Sequence, residues 1–444
     1  MKIVVIGGSH GGIATIDALI DKYQELDVLW FDKGDFAINN ALDNEQSKTK
    51  IEELTSKGVT IFQGTEVIDL NSETKSITIK NLKDNTLFYE SYDKLILSPG
   101  SHPKTLNLPG GDLKNVITMA NRQDLLEVRQ ASEDDNINNI VIVGAGYNGI
   151  GAVNMFINKN VTLIDHNNHS LSSYLDQELA EKIENKMKEA SVTLEMKTSL
   201  IEIIGNNENK VIAVKTKDKI LDADLVIITI GIEPNTKWLE NKLLLNKEGY
   251  IEVNDYMETN IKDIFAIGDA TLTKFNPLNK KVKIGLGTKA RRQAYCAVMN
   301  LENEKLPFFG VQGSSGLNGF GYKFASTGLN EKQAQRENLN YNSVYIKERK
   351  LDNNFVVKNT LSKNNPLIYF KILYNIDTYQ ILGAQIMSTN DETNNINAMS
   401  IAIQNKYTIT QLAFADFFFQ PEFSKPLNFM NRAGIAAMKK EKLL

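Results

Sequence analysis

The sequence predicts an α/β protein in which one strand–turn–helix unit occurs twice and an α+β segment follows. In the first unit, the apolar run Lys2–Ile6 leads directly into a glycine-rich turn at Gly7–Gly12. The second unit repeats this arrangement, with the run Ile140–Val143 before the turn Gly144–Gly149. Continuous β-branched runs of this kind are typical of buried strands in parallel sheets. We therefore expect two parallel sheets, each with a glycine turn at a helix N-terminus.

Length and composition limit the class of protein. The chain has 444 residues, too many for one ordinary core, so we expect two or three domains. The formal net charge of −4 gives no electrostatic reason to expect binding to nucleic acid or to an anionic membrane. The first residues enter a strand at once, no apolar run reaches membrane-spanning length, and only one cysteine is present. These features predict a cytoplasmic protein without disulfides.

The first unit continues with a helix and further strands. Gly11–Lys22 carries apolar side chains on one helical face, and Asp27–Phe31 predicts a strand that ends at Asp32. This is a βαβ unit with an acid at its end. Three short alternating runs then predict an antiparallel meander, at Val67–Leu70, Ser76–Lys80 and Thr86–Tyr89. Lys94–Leu97 returns to the pattern of a buried strand.

The second unit has the same order of elements. We expect a helix from Gly149 and a strand at Val161–Ile164 that ends at Asp165. Asp176–Ala190 predicts an amphipathic helix with an aspartate N-cap. Later apolar runs predict two more strands and a helix, at Leu225–Ile230, Asp263–Ile267 and Thr288–Leu301.

The character of the sequence changes from about Pro307. Alternating strands are predicted at Ser343–Lys347, Ile368–Tyr374 and Gln380–Ile386. Helices are predicted at Thr393–Asn405 and Ile409–Ala415. This pattern indicates an α+β segment without a nucleotide motif of its own.

The glycine turns have the composition of dinucleotide sites. A helix N-terminus presents free N–H groups and partial positive charge to a pyrophosphate, and glycines allow close approach. In the second unit, Gly144, Gly146 and Gly149 match the spacing G-x-G-x-x-G. Asp165 would accept hydrogen bonds from a ribose diol, and an aspartate without a neighbouring arginine favours NAD over its 2′-phosphorylated form.

The first turn matches this pattern less well, and two interpretations remain open. Ser9 replaces the middle glycine, so the turn is either a nucleotide site or a tight strand–helix connection. Asp32 favours the nucleotide site. Asp269, which follows a later strand, either caps a helical turn or holds a cofactor hydroxyl at the carboxyl edge of a sheet.

Together these motifs resemble the NADH peroxidase and NADH oxidase family of FAD-dependent pyridine nucleotide-disulfide oxidoreductases. The resemblance covers essentially the whole chain, and its other specific stretches are Ser98–Gly100, Gly231–Thr236, Phe265–Ala270, Gly310–Gly316, Lys323–Gly328 and Ala415–Pro421. It implies two Rossmann-like dinucleotide-binding domains, with FAD at residues 1–112 and 245–306 and NAD at the inserted residues 113–244. It also implies a C-terminal α+β dimerisation domain at 307–444, and hence a homodimer or a dimer of dimers.

The resemblance also implies roles for individual residues. FAD contacts are expected from Gly7, Gly12, Asp32, Gly100, Asp269 and Thr288. NADH contacts are expected from Gly146, Tyr147, Gly149 and Asp165. Tyr147 matches an aromatic residue that shields the flavin until nicotinamide arrives, with simple packing as the alternative. His10 matches the active-site histidine and Arg291 an arginine near it, and the alternative is a merely exposed histidine. No metal site is predicted.

The chain departs from the family at the redox cysteine. The family carries this cysteine shortly after the acid that ends the second strand, whereas Phe36–Asn44 of this chain has no thiol. Cys296 lies inside a predicted helix, where it is more simply a small buried apolar residue. Peroxide reduction by this family needs a thiolate that becomes a sulfenic acid. Thiol chemistry is therefore not expected.

The second unit departs from the family as well. Asn148 stands where an aliphatic residue is usual, and Gly151 stands where the family has a glutamate near the nicotinamide. Glu233 replaces a residue that is commonly basic. These changes leave the pyrophosphate and ribose contacts in place but weaken the case for productive NADH docking.

Three hypotheses about function follow. The first is a cysteine-less NADH oxidase, in which hydride passes from NADH to FAD and electrons pass to O₂, giving H₂O₂ with His10 as a proton donor. The second is a catalytically degenerate FAD-binding homologue with a binding or regulatory role. The third is an NADH peroxidase that works without cysteine. The expected partner is thus a small-molecule electron acceptor, O₂ or peroxide, and coenzyme A-disulfide reduction is disfavoured because the thiol is missing.

Overall fold

The computed structural model describes residues 1–34, 44–351, 365–420 and 423–444. These residues separate into two compact units. The first unit comprises Met1–His102, Ile232–Phe275 and Asn279–Val311, and the second comprises Pro103–Gly231, Asn276–Leu278 and Gln312–Leu444. Each unit has its own hydrophobic core.

The elements are numbered in chain order. The strands are β1 Lys2–Ile6, β2 Asp27–Phe31, β3 Val59–Phe62, β4 Thr65–Asn71, β5 Ser76–Asn81, β6 Leu87–Ser91, β7 Lys94–Leu97, β8 Ser101–Pro103, β9 Val116–Thr118, β10 Asn139–Val143, β11 Asn160–Asp165, β12 Thr193–Met196, β13 Leu200–Gly205, β14 Val211–Thr216, β15 Ile220–Asp222, β16 Leu225–Ile228, β17 Ile232–Pro234, β18 Ile264–Ala266, β19 Thr273–Phe275, β20 Lys280–Val282, β21 Ser315–Gly319, β22 Tyr322–Gly328, β23 Tyr341–Arg349, β24 Leu367–Asn375 and β25 Ile381–Ser388. The α-helices are α1 His10–Lys22, α2 Asn44–Ser56, α3 Arg122–Glu133, α4 Tyr147–Met155, α5 Gln177–Glu189, α6 Gly287–Met299, α7 Glu331–Arg336, α8 Ile396–Gln404, α9 Ile409–Ala413 and α10 Phe429–Lys440.

The first unit is built on a five-stranded parallel sheet. Its strand order is β18-β7-β1-β2-β3, and every pairing is parallel. Val4 and Val5 point to opposite faces of β1 and are both fully buried, because the sheet is covered on both sides. Ile6 lies opposite Leu97, which lies opposite Ala266. The carboxyl ends of β1, β7 and β18 therefore meet at one edge.

The helices and the small sheet of the first unit follow the predicted pattern. Helix α1 packs against α6, and the predicted meander forms the antiparallel sheet β4-β5-β6. Helix α1 begins at His10, one residue before the predicted start. Helix α6 begins at Gly287 rather than Thr288.

The second unit opens with another five-stranded parallel sheet. Its order is β12-β11-β10-β16-β9, with α4 between β10 and β11. Helix α4 starts at Tyr147, two residues before the predicted start at Gly149. The predicted α/β class is confirmed, with two parallel sheets in each of which a glycine turn connects one strand to the following helix.

The predicted capping role of the Asp176 side chain is wrong. Asp176 occupies the N-cap position of α5, but its side chain makes no capping hydrogen bond. The buried carboxylate instead lies 3.0 Å from Lys371 Nζ and accepts a hydrogen bond from Gln385 Nε2 at 2.8 Å. A buried carboxylate needs a charged partner, and the helix N–H groups could not supply one.

The C-terminal part of the second unit is α+β, as predicted. Its antiparallel sheet has the order β21-β22-β25-β24-β23, and α8 and α10 pack against it. The predicted helix from Thr393 begins instead at Ile396, after a 3₁₀ turn. Phe324 and Met387 belong to the same core as Ile150, so this sheet and the second parallel sheet share apolar contacts. Within the described ranges, no helix is both long and apolar enough to cross a membrane.

Candidate functional site

The first glycine turn requires glycine at its first and last positions. Gly7 has φ +107°, a conformation that side chains rarely adopt. A Cβ on Gly12 would lie 1.7 Å from the carbonyl oxygen of Gly7, so only glycine lets α1 approach β1. Ser9 has an extended backbone with φ −104°, which any residue can adopt. The serine therefore leaves the turn intact.

The second turn has the same geometry. Gly144 has φ +104°, and a Cβ on Gly149 would lie 1.8 Å from the Gly144 carbonyl oxygen. A Cβ on Gly146 would meet no atom within 4 Å. The space in front of the α4 N-terminus is thus open, as a bound pyrophosphate would require.

In each turn, a backbone N–H donates a hydrogen bond to the aspartate that follows or ends the neighbouring strand. Asp32 Oδ2 accepts a hydrogen bond from the Gly8 N–H at 2.5 Å, and Asp165 Oδ2 accepts one from the Ala145 N–H at 2.6 Å. The two interactions are equivalent in position. They place a carboxylate beside the helix N-terminus in both sheets.

The two carboxylates differ in the number of hydrogen bonds that they accept. A carboxylate offers about four acceptor positions. Among the described residues, which exclude the following segment 35–43, Asp32 accepts two hydrogen bonds, from the Gly8 N–H at Oδ2 and from the Gly34 N–H at Oδ1 at 2.8 Å. Burial raises the pKa of its carboxyl. Asp165 uses three, because its Oδ1 accepts both the backbone N–H and the side-chain Nδ2 of Asn167, each at 2.7 Å. Within the described part of the chain, Asp165 therefore accepts one more hydrogen bond than Asp32, and His166 Nδ1 also lies 3.6 Å from its Oδ1.

A cleft of about 530 Å³ lies in the first unit beside the first turn. It is lined by Gly7, Asp32, Thr65, Pro99, His102 and Asn235, among others. At its rim, Asn235 Oδ1 accepts a hydrogen bond from His102 Nδ1 at 2.8 Å, and Asn235 Nδ2 donates one to the Pro99 carbonyl oxygen at 2.9 Å. The neighbouring Gly100 has φ +68° and open space at its Cβ position. The size of the cleft, its glycine turn and its accessible carboxylate fit one end of a dinucleotide.

Asp269 lies at the same sheet edge. It is the middle residue of the 3₁₀ turn Gly268–Ala270, so its carboxylate caps neither end of that turn. The side chain is 28% exposed, and Ser101 Oγ lies 3.4 Å from its Oδ2. The carboxylate is therefore accessible to a ligand hydroxyl.

His10 and Arg291 are brought together at two helix N-termini. Arg291 Nε donates a hydrogen bond to His10 Nδ1 at 3.3 Å. The His10 ring lies against Gly287, where a Cβ would come within 2.6 Å of its Cδ2. Thr288 follows and is exposed. Since Nδ1 accepts from Arg291, a neutral His10 carries its hydrogen on Nε2, which can donate a hydrogen bond.

Tyr147 is held by packing in the second unit. Its ring stacks on Tyr174 at 3.8 Å, and its hydroxyl accepts a hydrogen bond from Ser315 Oγ at 3.1 Å. Phe324 lies against the ring at 6.0 Å, and burial raises the pKa of the hydroxyl to about 12. These contacts account for a tyrosine here, and the shielding role stays a prediction.

Cys296 has the environment of a structural residue. It lies in α6, packs at the edge of the first core and points its Sγ at the Leu306 carbonyl oxygen at 3.4 Å. Burial raises the pKa of the thiol to about 11. The segment Phe36–Asp43, where the redox cysteine was expected, lies outside the described residues. Cys296 is the one cysteine in the sequence, and its thiol is protonated at neutral pH.

Sequence reasoning missed three residues near these sites. Asn167 takes an acceptor position of Asp165, Lys289 is buried behind Asp269, and Asn148 donates from Nδ2 to the Met119 carbonyl oxygen at 2.9 Å. Asn148 was noted only as a departure from the family. The contact made by Asn167 had a local signal, because an asparagine two residues after an aspartate commonly bonds back to it.

The fold and these sites define a two-nucleotide oxidoreductase. Residues 1–294 match the model of the pyridine nucleotide-disulphide oxidoreductases, and residues 319–429 match the dimerisation domain of that family. The chain belongs to this family, and the resemblance found in the motifs is confirmed.

Proteins similar to this chain include NADH oxidases. The NADH oxidase of Enterococcus faecalis is 32% identical over 454 residues, which cover 99% of each chain. That of Lactococcus lactis is 32% identical over 452 residues, covering 98% of this chain and 100% of the relative. The structure of the water-forming NADH oxidase from Lactobacillus brevis bound to NADH has a TM-score of 0.90 at 27% identity and covers 100% of this chain and 99% of that one.

Two glycine substitutions separate stability from binding at the second turn. Gly149→Ala should lower the free energy of unfolding by about 1–3 kcal/mol, because the new methyl group overlaps the Gly144 carbonyl oxygen. Gly146→Ala should leave stability within about 0.5 kcal/mol of wild type but weaken NADH binding, since its methyl group projects into the ligand space. Denaturant unfolding and NADH titration measure the two effects. Equal stability of both variants would contradict this account.

The Cys296 thiol should be inert in the folded protein. Its pKa rises from 9.0 to about 11, so at pH 8 the thiolate fraction, and with it the alkylation rate, should fall about 100-fold. The rate should recover in denaturant, and Cys296→Ala should retain NADH oxidation. Rapid alkylation of the native protein that also abolishes activity would overturn this assignment.

Proposed function

We propose that this protein is an FAD-dependent NADH oxidase that reduces O₂ to H₂O₂. The observation that carries the proposal is the pairing of two equivalent dinucleotide turns with a single, protonated thiol. When bound, FAD supplies a carrier that accepts two electrons as hydride from NADH and passes them to O₂. The balanced reaction is NADH, H⁺ and O₂ to NAD⁺ and H₂O₂.

The expected product follows from the number of electrons. Reduction of O₂ to water takes four electrons, so the peroxide formed by the first two must be reduced again. A thiolate does this by attacking the O–O bond and becoming a sulfenic acid. The one thiol of this chain has a pKa of about 11 and lies in the interior of α6. Peroxide release is the outcome that needs no thiolate.

The first unit would hold FAD. Gly7 and Gly12 shape the turn that receives the pyrophosphate, and Asp32 presents a carboxylate for a ribose diol. Asp269 presents a carboxylate at the carboxyl edge of the same sheet. Thr288 stands at the N-terminus of α6, where the partial positive charge favours an electron-rich ligand group.

The second unit would hold NADH. Gly146 leaves open space before α4, and Gly149 allows the close helix approach. Asp165 would accept a ribose hydroxyl, in competition with the backbone N–H and side-chain Nδ2 of Asn167 at its Oδ1. We therefore expect the contacts of Asn167 to weaken NADH binding.

From its doubly protonated form, His10 would supply the proton that peroxide formation consumes, because a neutral imidazole is far too weak an acid to release one. In the neutral ring, the hydrogen bond from Arg291 Nε to Nδ1 orients the imidazole. Arg291 also adds positive charge beside the site where an anionic oxygen species would form.

A homodimer is the proposed assembly. The dimerisation-domain match covers 319–429, and four phenylalanines near its end are exposed in the isolated chain: Phe414, Phe418, Phe419 and Phe423. Exposed aromatic clusters mark protein interfaces.

A cytoplasmic location is proposed for the reasons given in the sequence analysis: the sequence has one cysteine and no apolar run of membrane-spanning length.

The stoichiometry of turnover tests the product. Under air, the purified holoprotein should consume one O₂ and release one H₂O₂ for each NADH oxidised, and added catalase should halve net O₂ consumption. Two NADH per O₂ with no effect of catalase would show water formation and contradict the proposal.

Absence of flavin bleaching by anaerobic NADH would instead favour the degenerate FAD-binding alternative. The hydrogen bond from Asn167 Nδ2 to Asp165 Oδ1 also favours this alternative, because it occupies an acceptor position that NADH would use.

His10→Gln tests the proton donor. Reoxidation of the reduced protein by O₂ should slow about 10- to 100-fold, because a positioned acid is lost. Reduction by NADH under anaerobic conditions serves as the internal control and should be unchanged. Stopped-flow absorbance measures both half-reactions. If the variant reoxidises at the wild-type rate, His10 has no part in proton delivery.

A further inference from the structure

Lys289 is a lysine with no exposed surface. It is the third residue of α6, and its side chain is 0% accessible. Lysine is almost never fully buried without a partner, since an ammonium loses its hydration there. Its Nζ donates a hydrogen bond to the Gly268 carbonyl oxygen at 3.0 Å. The buried cation is therefore directed at the turn that carries Asp269.

Gln293 contacts the same turn one helical turn later. Residues 289 and 293 are four positions apart and share one face of α6. Gln293 Oε1 accepts a hydrogen bond from the Gly268 N–H at 2.9 Å, and this side chain is also fully buried. Gly268 has φ +74°, and a Cβ there would contact Ala290 at 3.4 Å. Helix α6 thus holds both polar backbone groups of Gly268.

The charge of Lys289 acts on the next residue. Nζ lies 3.9 Å from Asp269 Oδ1, while the Asp269 side chain stays 28% exposed on its other side. Burial lowers the pKa of Lys289 to about 8, and the negative charge of Asp269 opposes that shift. The lysine therefore remains mostly charged at pH 7.

A neutral donor could satisfy the Gly268 carbonyl at a smaller desolvation cost. What the ammonium adds is a positive potential on the inner side of the Asp269 carboxylate. Such a potential attracts the carboxylate and fixes its orientation, so that its exposed side can accept a hydrogen bond from a ligand hydroxyl. The arrangement suits a carboxylate whose task is to hold a ligand.

We propose that Lys289 is a positioning residue for FAD, which together with Gln293 sets the orientation of the Asp269 carboxylate. This inference rests on the proposed role of the first unit in FAD binding. Lys289 itself touches no ligand in this account and acts through Asp269.

Titration of the apoprotein with FAD, followed by flavin fluorescence, tests the inference. Lys289→Met removes both the charge and the donor, and should raise the dissociation constant of FAD about tenfold or more. Lys289→Gln keeps a donor, one bond shorter than lysine, but removes the charge, and should raise the dissociation constant by a smaller factor that still exceeds threefold. Lys274→Met, an exposed lysine in the same unit, is the matched control and should bind FAD like wild type.

A double variant separates positioning from a general structural role. In an Asp269→Asn background, Lys289→Met should weaken FAD binding less than threefold further, because its effect runs through the Asp269 charge. If Lys289→Met fails to fold by circular dichroism, the folded Lys289→Gln variant decides. Wild-type FAD affinity in Lys289→Gln, or full additivity with Asp269→Asn, would overturn the inference. Failure of the wild-type apoprotein to bind FAD would instead refute the proposed function.

Discussion

The structure depends on how closely a helix can approach the strand before it. At both glycine turns the last glycine stands where a Cβ would lie less than 2 Å from the carbonyl oxygen of the first, so the helix N-terminus comes directly over the strand end. That approach brings the backbone N–H after the first glycine within reach of the acid on the adjacent strand. One steric constraint thus creates a site with positive partial charge at one end and a carboxylate at the other.

Much of this could be predicted from sequence, because the rules involved are local. Apolar runs, glycine spacing and the acids Asp32 and Asp165 follow from residues within about 25 positions of one another. What sequence reasoning could not supply were contacts between distant segments. The Asp176 carboxylate pairs with Lys371, 195 positions away, instead of capping its own helix. The burial of Lys289 could not be predicted, because a lysine on a helix is normally solvated.

Asp32 and Asp165 show that acids at the same position in two similar motifs can differ in the hydrogen bonds they already accept. In sequence, the second turn is the better match to G-x-G-x-x-G, and the first is weakened by Ser9. In the structure, Ser9 does not distort the turn, because its backbone is extended. Asn167, in contrast, donates a hydrogen bond to an oxygen of Asp165. Binding strength at such a turn depends on the acceptor positions that remain as well as on the glycines.

Helix α6 links the chemical groups of the first unit. Its first residue, Gly287, lies against the His10 ring, and Arg291 Nε donates a hydrogen bond to His10 Nδ1. On the buried face of the same helix, Lys289 and Gln293 form hydrogen bonds with Gly268, next to Asp269. These contacts alternate between the exposed and buried faces of one helix. One short helix therefore positions both the His10 ring and the turn of Asp269, so the proposed proton donor and the carboxylate proposed to hold FAD are set by a single element.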